Sequence, residues 1–114
     1  MGRKDDQGKA AWDLLPFDVL DQVAAVFTHG AEKYGANNWR EVPNGKDRYF
    51  AAFMRHMSAW KQGQRIDPDS GLPTIACAIA SVMIIAGREN AIQTTHKSGA
   101  TSGEWPEFAD SPPN

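Results

Sequence analysis

The chain has 114 residues, with 12 Lys and Arg against 14 Asp and Glu, for a net charge of −2. That length accommodates one modest hydrophobic core but not two, and the near-neutral balance excludes a generic polyanion surface of the kind nucleic acid requires. The single cysteine, Cys77, excludes an internal disulfide and suits a reducing compartment. The longest apolar run, 75–86, is well short of the roughly 20 residues that span a bilayer. The opening MGRKDDQGK leads into no apolar segment of signal-peptide type. The chain therefore reads as cytoplasmic, with neither membrane nor nucleic acid as a partner.

Residues 1–15 are polar until Trp12, Leu14 and Leu15, a pattern that predicts an extended segment docked by those three side chains. Pro16 opens a first helix, since a missing N–H costs nothing in the first turn, and Asp18 complements the positive end of the dipole. Leu20, Val23, Ala24, Phe27, Ala31 and Tyr34 then recur at helical spacing, opposite Asp18, Gln22, His29, Glu32 and Lys33. Gly35 is the expected left-handed cap, and the Asn, Pro and Gly residues of 36–46 predict a loop.

A second helix is predicted from Asp47 as N-cap to Gln62, with Phe50, Phe53, Met54, Met57 and Trp60 as its buried face. Gly63 ends it, and Pro68 between two aspartates keeps 64–70 out of helix. A third helix is predicted from Ser70 or Gly71, with Pro73 in its first turn, to about Glu89. Between Ile75 and Ala86 only Ser81 is polar, so this helix requires cover on every side. Two amphipathic neighbours supply only part of that cover. The expected fold is thus all-α, a bundle of about three long helices completed by oligomerisation into a dimer or tetramer, with Ala76, Ala80 and Ser81 allowing close approach. Residues 1–92 form the helical domain in this reading. Residues 93–114, rich in Thr, Ser, Gly and Pro, form an irregular tail that Trp105 and Phe108 would pin to a surface. No strand pattern or repeat is present.

Arg48 and Arg55 lie seven apart, about two helical turns, and with His56 they make a cationic strip suited to phosphate oxygens. A solvated face with ion pairs is the plain alternative. The segment Lys33-Tyr34-Gly35-Ala36-Asn37-Asn38-Trp39-Arg40 gathers two cations, two amides and two aromatics at one helix end. Such groups can meet phosphate, read a base edge and stack on a base. Equally, the asparagines could satisfy the turn while Trp39 plugs the core. Asp67 and Asp69 are candidate ligands for a hard metal or, alternatively, turn and capping residues. His29 reads as an exposed residue, and Cys77 as a structural buried thiol rather than a nucleophile. There is no P-loop, no CxxC pair and no GxSxG elbow.

Taken in order, Gly8-Lys9, Trp12-Asp13-Leu14-Leu15-Pro16, Gly30-Ala31-Glu32-Lys33-Tyr34-Gly35, Asn38-Trp39, Arg55-His56 and Asp67-Pro68-Asp69-Ser70-Gly71-Leu72-Pro73 carry a resemblance. Over residues 5–88 the chain resembles the phage-type dATP/dGTP diphosphohydrolase N-terminal domain, one of the MazG-like all-α NTP pyrophosphohydrolases. The resemblance implies a helical, usually oligomeric protein that binds a purine (d)NTP with Mg²⁺ or Mn²⁺ and releases pyrophosphate through a metal-activated water. It further implies that Lys9, Lys33, Arg48 and Arg55 meet phosphate, that Asn38 and Trp39 face base or ribose, and that Asp67 and Asp69 sit near metal.

The departures fall in one zone. The family pattern has Gly-Glu where this chain has Gly63-Gln64, and His-x-x-His where it has Thr74-Ile75-Ala76-Cys77. A threonine and a buried cysteine are not expected to replace two imidazoles. The sequence therefore leans towards a phage protein that binds a nucleotide or nucleotide-derived immune signal and sequesters it in the host cytoplasm, needing no cofactor. An active pyrophosphohydrolase using Mg²⁺ or Mn²⁺ is the alternative, and an oligomeric scaffold the third reading.

Overall fold

The structure, a computed structural model, describes residues 7–96, with side chains described through Ile92. Three α-helices dominate: α1 (Phe17–Tyr34), α2 (Gly45–Lys61) and α3 (Thr74–His96). Short 3-10 turns at Trp12–Leu14 and Asn38–Arg40 precede α1 and α2. Among the described residues the only β contact is an isolated bridge between Ile66 and Pro73. The all-α expectation therefore holds for the described chain.

α3 is the centre. Both α1 and α2 pack on it, and they touch one another little. Its first half supplies most of the buried apolar residues, namely Ala76, Cys77, Ala78, Ala80 and Ile84. Val23 of α1 is buried with Ala76 and Ala80, and Val19, Val26, Phe27 and Ile79 pack around them. Few residues are fully enclosed, because α1 and α2 each cover only part of α3 and scarcely meet one another.

Several predicted details change. Trp12 and Leu14 are 64% and 81% exposed, and Leu15 is exposed too, so these side chains are not buried against the described residues. It closes its own 3-10 turn instead, the Leu14 and Leu15 amides donating to the Ala11 and Trp12 carbonyls. On α1, Ala24 and Tyr34 are exposed while Val19 and Val26 share the core face. The true stripe is rotated because it follows α3 alone. On α2, Phe50 and Met54 are exposed, and Phe53, Met57 and Trp60 only half-buried. The apolar face predicted for α2 is thus broader than one neighbour can cover.

Helix ends shift for local reasons. α2 starts at Gly45 rather than after an Asp47 cap, because Asn44 takes the left-handed conformation (φ 54°) and its carbonyl accepts from the Arg48 amide. Asparagine tolerates that conformation better than most residues. α3 starts at Thr74, not Ser70. Pro73 disfavours helix at Leu72, and its carbonyl accepts the Ala76 and Cys77 amides. The residues before it form a closed loop in which the Asp67 amide donates to the Leu72 carbonyl and the Thr74 amide to that of Arg65. α3 runs to His96, beyond the predicted end near Glu89 and past the proposed boundary at 92. Trp105 and Phe108 lie outside the described residues. By length and composition, Thr74–Ile92 would also suffice to cross a membrane. The uninterrupted apolar run stops at Ala86, but Gly87 and the few polar residues after it leave the mean hydropathy of 74–92 high.

Thr74 is wholly enclosed, and its hydroxyl has no hydrogen-bond partner among the described residues. A desolvated, unsatisfied hydroxyl destabilises the folded state. Thr74→Val, which keeps the shape, is expected to stabilise the chain by about 1 kcal/mol, read as a higher urea midpoint at unchanged slope. A lower midpoint would show that the hydroxyl is satisfied.

Candidate nucleotide-binding cavity

Because α1 and α2 lean on α3 without closing on each other, a cavity of about 630 Å³ remains between them. Cys77, Ala80, Ser81 and Ile84 of α3 floor it. One wall is α1 and the turn after it, from Phe27 to Trp39; the other is Tyr49, Ala52, Arg55 and His56 of α2, with Asp67, Asp69 and Ser70 at the rim. Small-molecule sites commonly have this volume.

Eight of the residues singled out from sequence line this one space: Lys33, Tyr34, Asn38, Trp39, Arg55, His56, Asp67 and Asp69. Lys9 and Arg48 do not. Arg48 shares a face with Arg55 but lies about 10 Å along the axis, near the entry to α2. Seven-residue spacing aligns two side chains in direction, not in depth, so of the predicted strip only Arg55 and His56 reach the cavity. Arg55 makes no ion pair among the described residues.

The turn 35–40 is folded by its own chemistry. Gly35 (φ 96°) and Asn37 (φ 64°) take positive φ, which redirects the chain from α1 into the Asn38–Arg40 turn. Trp39 is half-buried, edge-on to Phe27 with ring centroids 6.3 Å apart, and the Arg40 guanidinium stacks 4.2 Å from its ring centroid. From α3, the Arg88 guanidinium donates to the Trp39 carbonyl at 2.8 Å, and the ring rests on Gly87. Arg88 also fills the space beside Gly45, where any Cβ would collide with its guanidinium. Trp39 is therefore a fixed wall. Sequence reasoning missed Arg88, since nothing in the sequence places residue 88 against residue 39.

The two aspartates of the loop separate. Asp69 is exposed at the cavity rim, with Lys33 Nζ 3.1 Å and His29 Nε2 3.5 Å from its Oδ2. The Lys33 hydrogen bond holds the Asp69 carboxyl below its usual range, and the same bond raises Lys33. The depressed carboxyl makes this link fully present above the ordinary carboxylate range and lost as pH falls through the lowered value. Both partners are well exposed, so its energetic weight is small. Lys33 also lies 5.2 Å from the Tyr34 ring centroid. His29, which reads from sequence as merely exposed, is half-buried in the cavity wall. Its place one turn before Lys33 was the available signal. Tyr49 is a further wall residue that sequence reasoning missed, and burial pushes its hydroxyl up, keeping it a hydrogen-bond donor.

Asp67 faces inward. Its Oδ2 accepts the amide and the hydroxyl of Ser70, each at 2.9 Å. The Ser70 Oγ in turn lies 3.7 Å from Cys77 Sγ. His56, Asp67 and Cys77 each bring one donor atom to within 4.8 Å of the others. Magnesium and manganese favour all-oxygen sites with several carboxylates. Here one carboxylate converges with an imidazole and a thiol, and Asp69 is not among the converging donors, so these residues do not fit the hard ion that the family resemblance implies. Burial raises the Cys77 thiol above its ordinary range, so without a cation the group is neutral.

A family model described as dATP/dGTP diphosphohydrolase, N-terminal, matches residues 1–97. The chain is also similar to a dATP/dGTP diphosphohydrolase of Salmonella phage PMBT28, at 33% identity over 84 residues. That match covers 74% of this chain but only 28% of the relative, so the chain spans under a third of the relative's length. No solved structure matches.

Proposed function

We infer the function from one premise: the chain belongs to the dATP/dGTP diphosphohydrolase N-terminal family. On that premise, the cavity between α1 and α2 takes up a purine nucleotide or a nucleotide-derived phosphorylated signal and retains it. The observation that carries this reading is convergence. Lys33 and Arg55 share one cavity with Tyr34, Asn38 and Trp39, so cations for phosphate lie beside rings and an amide suited to a base. Retention rather than cleavage is favoured by the scarcity of converging carboxylates, since Asp67 alone joins His56 and Cys77 and positions 64 and 74 carry Gln and Thr. Such a protein would act by sequestration, as in blunting a nucleotide-based immune signal.

The second reading, a metal-dependent pyrophosphohydrolase giving (d)NMP and pyrophosphate, is favoured by the meeting of His56, Asp67 and Cys77 on the same cavity. One experiment separates them. The purified protein is incubated with each (d)NTP and either Mn²⁺ or Zn²⁺ and the products chromatographed, while a second sample is heat-denatured and its released small molecules weighed. Intact nucleotide released without turnover supports retention. Monophosphate and pyrophosphate appearing in step with protein concentration would replace that reading with the enzyme.

Self-association belongs to the same proposal. Phe50 and Met54 of α2 and Val82 and Met83 of α3 are exposed apolar side chains, and burying them between copies would complete the bundle. Light scattering should give a dimer or tetramer, and a monomer at micromolar concentration would contradict it.

A further inference from the structure

His56 of α2, Asp67 of the connecting loop and Cys77 of α3 come from three separate elements, and their donor atoms meet within 4.8 Å. In a tetrahedral zinc site, bond lengths of about 2.0–2.3 Å put neighbouring ligand atoms about 3.5 Å apart. The observed spacing is therefore closed by small side-chain rotations rather than by movement of helices. Imidazole, carboxylate and thiol together are a borderline-to-soft donor set, which selects zinc-type ions over magnesium. Surface residues do not explain the cluster, because Cys77 is buried and the other two are half-buried. Ser70 adds a supporting contact. By bonding to Asp67 through both its amide and its hydroxyl, it fixes the carboxylate's orientation.

We propose that His56, Asp67 and Cys77 hold one zinc-type divalent ion, with its remaining coordination position open to the cavity. All three residues line the cavity, so an ion among them is accessible from it. Cys77 is then a ligand, not the inert core thiol that its apolar sequence context suggests. Binding converts the thiol to thiolate and releases its proton to solvent. The proposal stands on this cluster alone and is independent of the nucleotide reading, so either can fail without the other.

The test uses Co²⁺ as a spectroscopic probe on the chelator-treated full chain, without nucleotide. One Co²⁺ per chain is expected, with intense tetrahedral d–d bands and a sulfur-to-cobalt charge-transfer band in the near ultraviolet. Zn²⁺ should abolish both spectra stoichiometrically, and Mg²⁺ in large excess should not. Cys77→Ser, nearly isosteric, should lose the charge-transfer band while keeping the wild-type circular dichroism. Ser70→Ala, which leaves all three ligands in place, should weaken binding about ten- to a hundredfold. The proposal is overturned if wild type shows no charge-transfer band, if folded Cys77→Ser retains it, or if Mg²⁺ displaces Co²⁺ as readily as Zn²⁺ does.

Discussion

Replacing Arg55 with alanine is expected to weaken binding of a purine deoxynucleoside triphosphate about ten- to a hundredfold, with the melting temperature essentially unchanged. Arg55 is exposed, lines the cavity and makes no ion pair among the described residues, so its guanidinium is available to a ligand. Hydrogen bonds to charged groups contribute about 1.5–3 kcal/mol each, and about 1.4 kcal/mol is a factor of ten. Exposed substitutions away from caps and networks shift stability by only about 0.5 kcal/mol. The control is Arg48→Ala, which removes the same charge from the same helix outside the cavity. Calorimetric titration of the two variants should therefore diverge. Equal losses would mean that the loss of one positive charge anywhere on α2, not a contact in the cavity, weakens binding.

The second large effect concerns a residue with no polar atom in its side chain. Gly87→Ala is expected to destabilise the protein by about 1–3 kcal/mol, although alanine in place of glycine inside an exposed helix usually stabilises by about 1 kcal/mol. The sign reverses because of Trp39. A Cβ at position 87 would lie 2.9 and 3.1 Å from two ring carbons of Trp39. The ring has little freedom to retreat, with Phe27 edge-on beside it, Arg40 stacked on it and its own carbonyl held by Arg88. Strain of this kind can be isolated by a double-mutant cycle. In a Trp39→Phe background, where the offending ring atoms are absent, Gly87→Ala should recover most of the loss. Additive costs in urea denaturation would show that the two positions do not meet. Because Trp39 also walls the cavity, the single variant should bind nucleotide more weakly as well.

Much of the architecture was legible because helical periodicity and punctuation are local properties. The helices around 17–34 and 45–61 are announced by Pro16, Gly35 and Gly63, and the uniformly apolar stretch 75–86 identifies the central helix. The boundaries were less legible. Asn44 in a left-handed conformation and a closed 65–74 loop depend on hydrogen bonds whose partners are chosen only when the loop folds. Buried faces were misjudged for a related reason. Phe50 and Met54 lie on the apolar stripe of α2, but α3 covers only part of that stripe.

The sequence by itself determined the helix inventory and the central position of the most apolar helix, since each follows from side-chain chemistry and spacing along the chain. Only the tertiary structure decided depth and company. It kept Arg55 in the cavity and left Arg48 out, set Asp69 against Lys33 at the rim, and brought residues 56, 67 and 77 together. The physical reason is that periodicity fixes the direction in which a side chain leaves its helix. Where that direction meets a neighbour depends on how the helices cross, and here α1 and α2 close on the small residues of α3 and leave the space between them open.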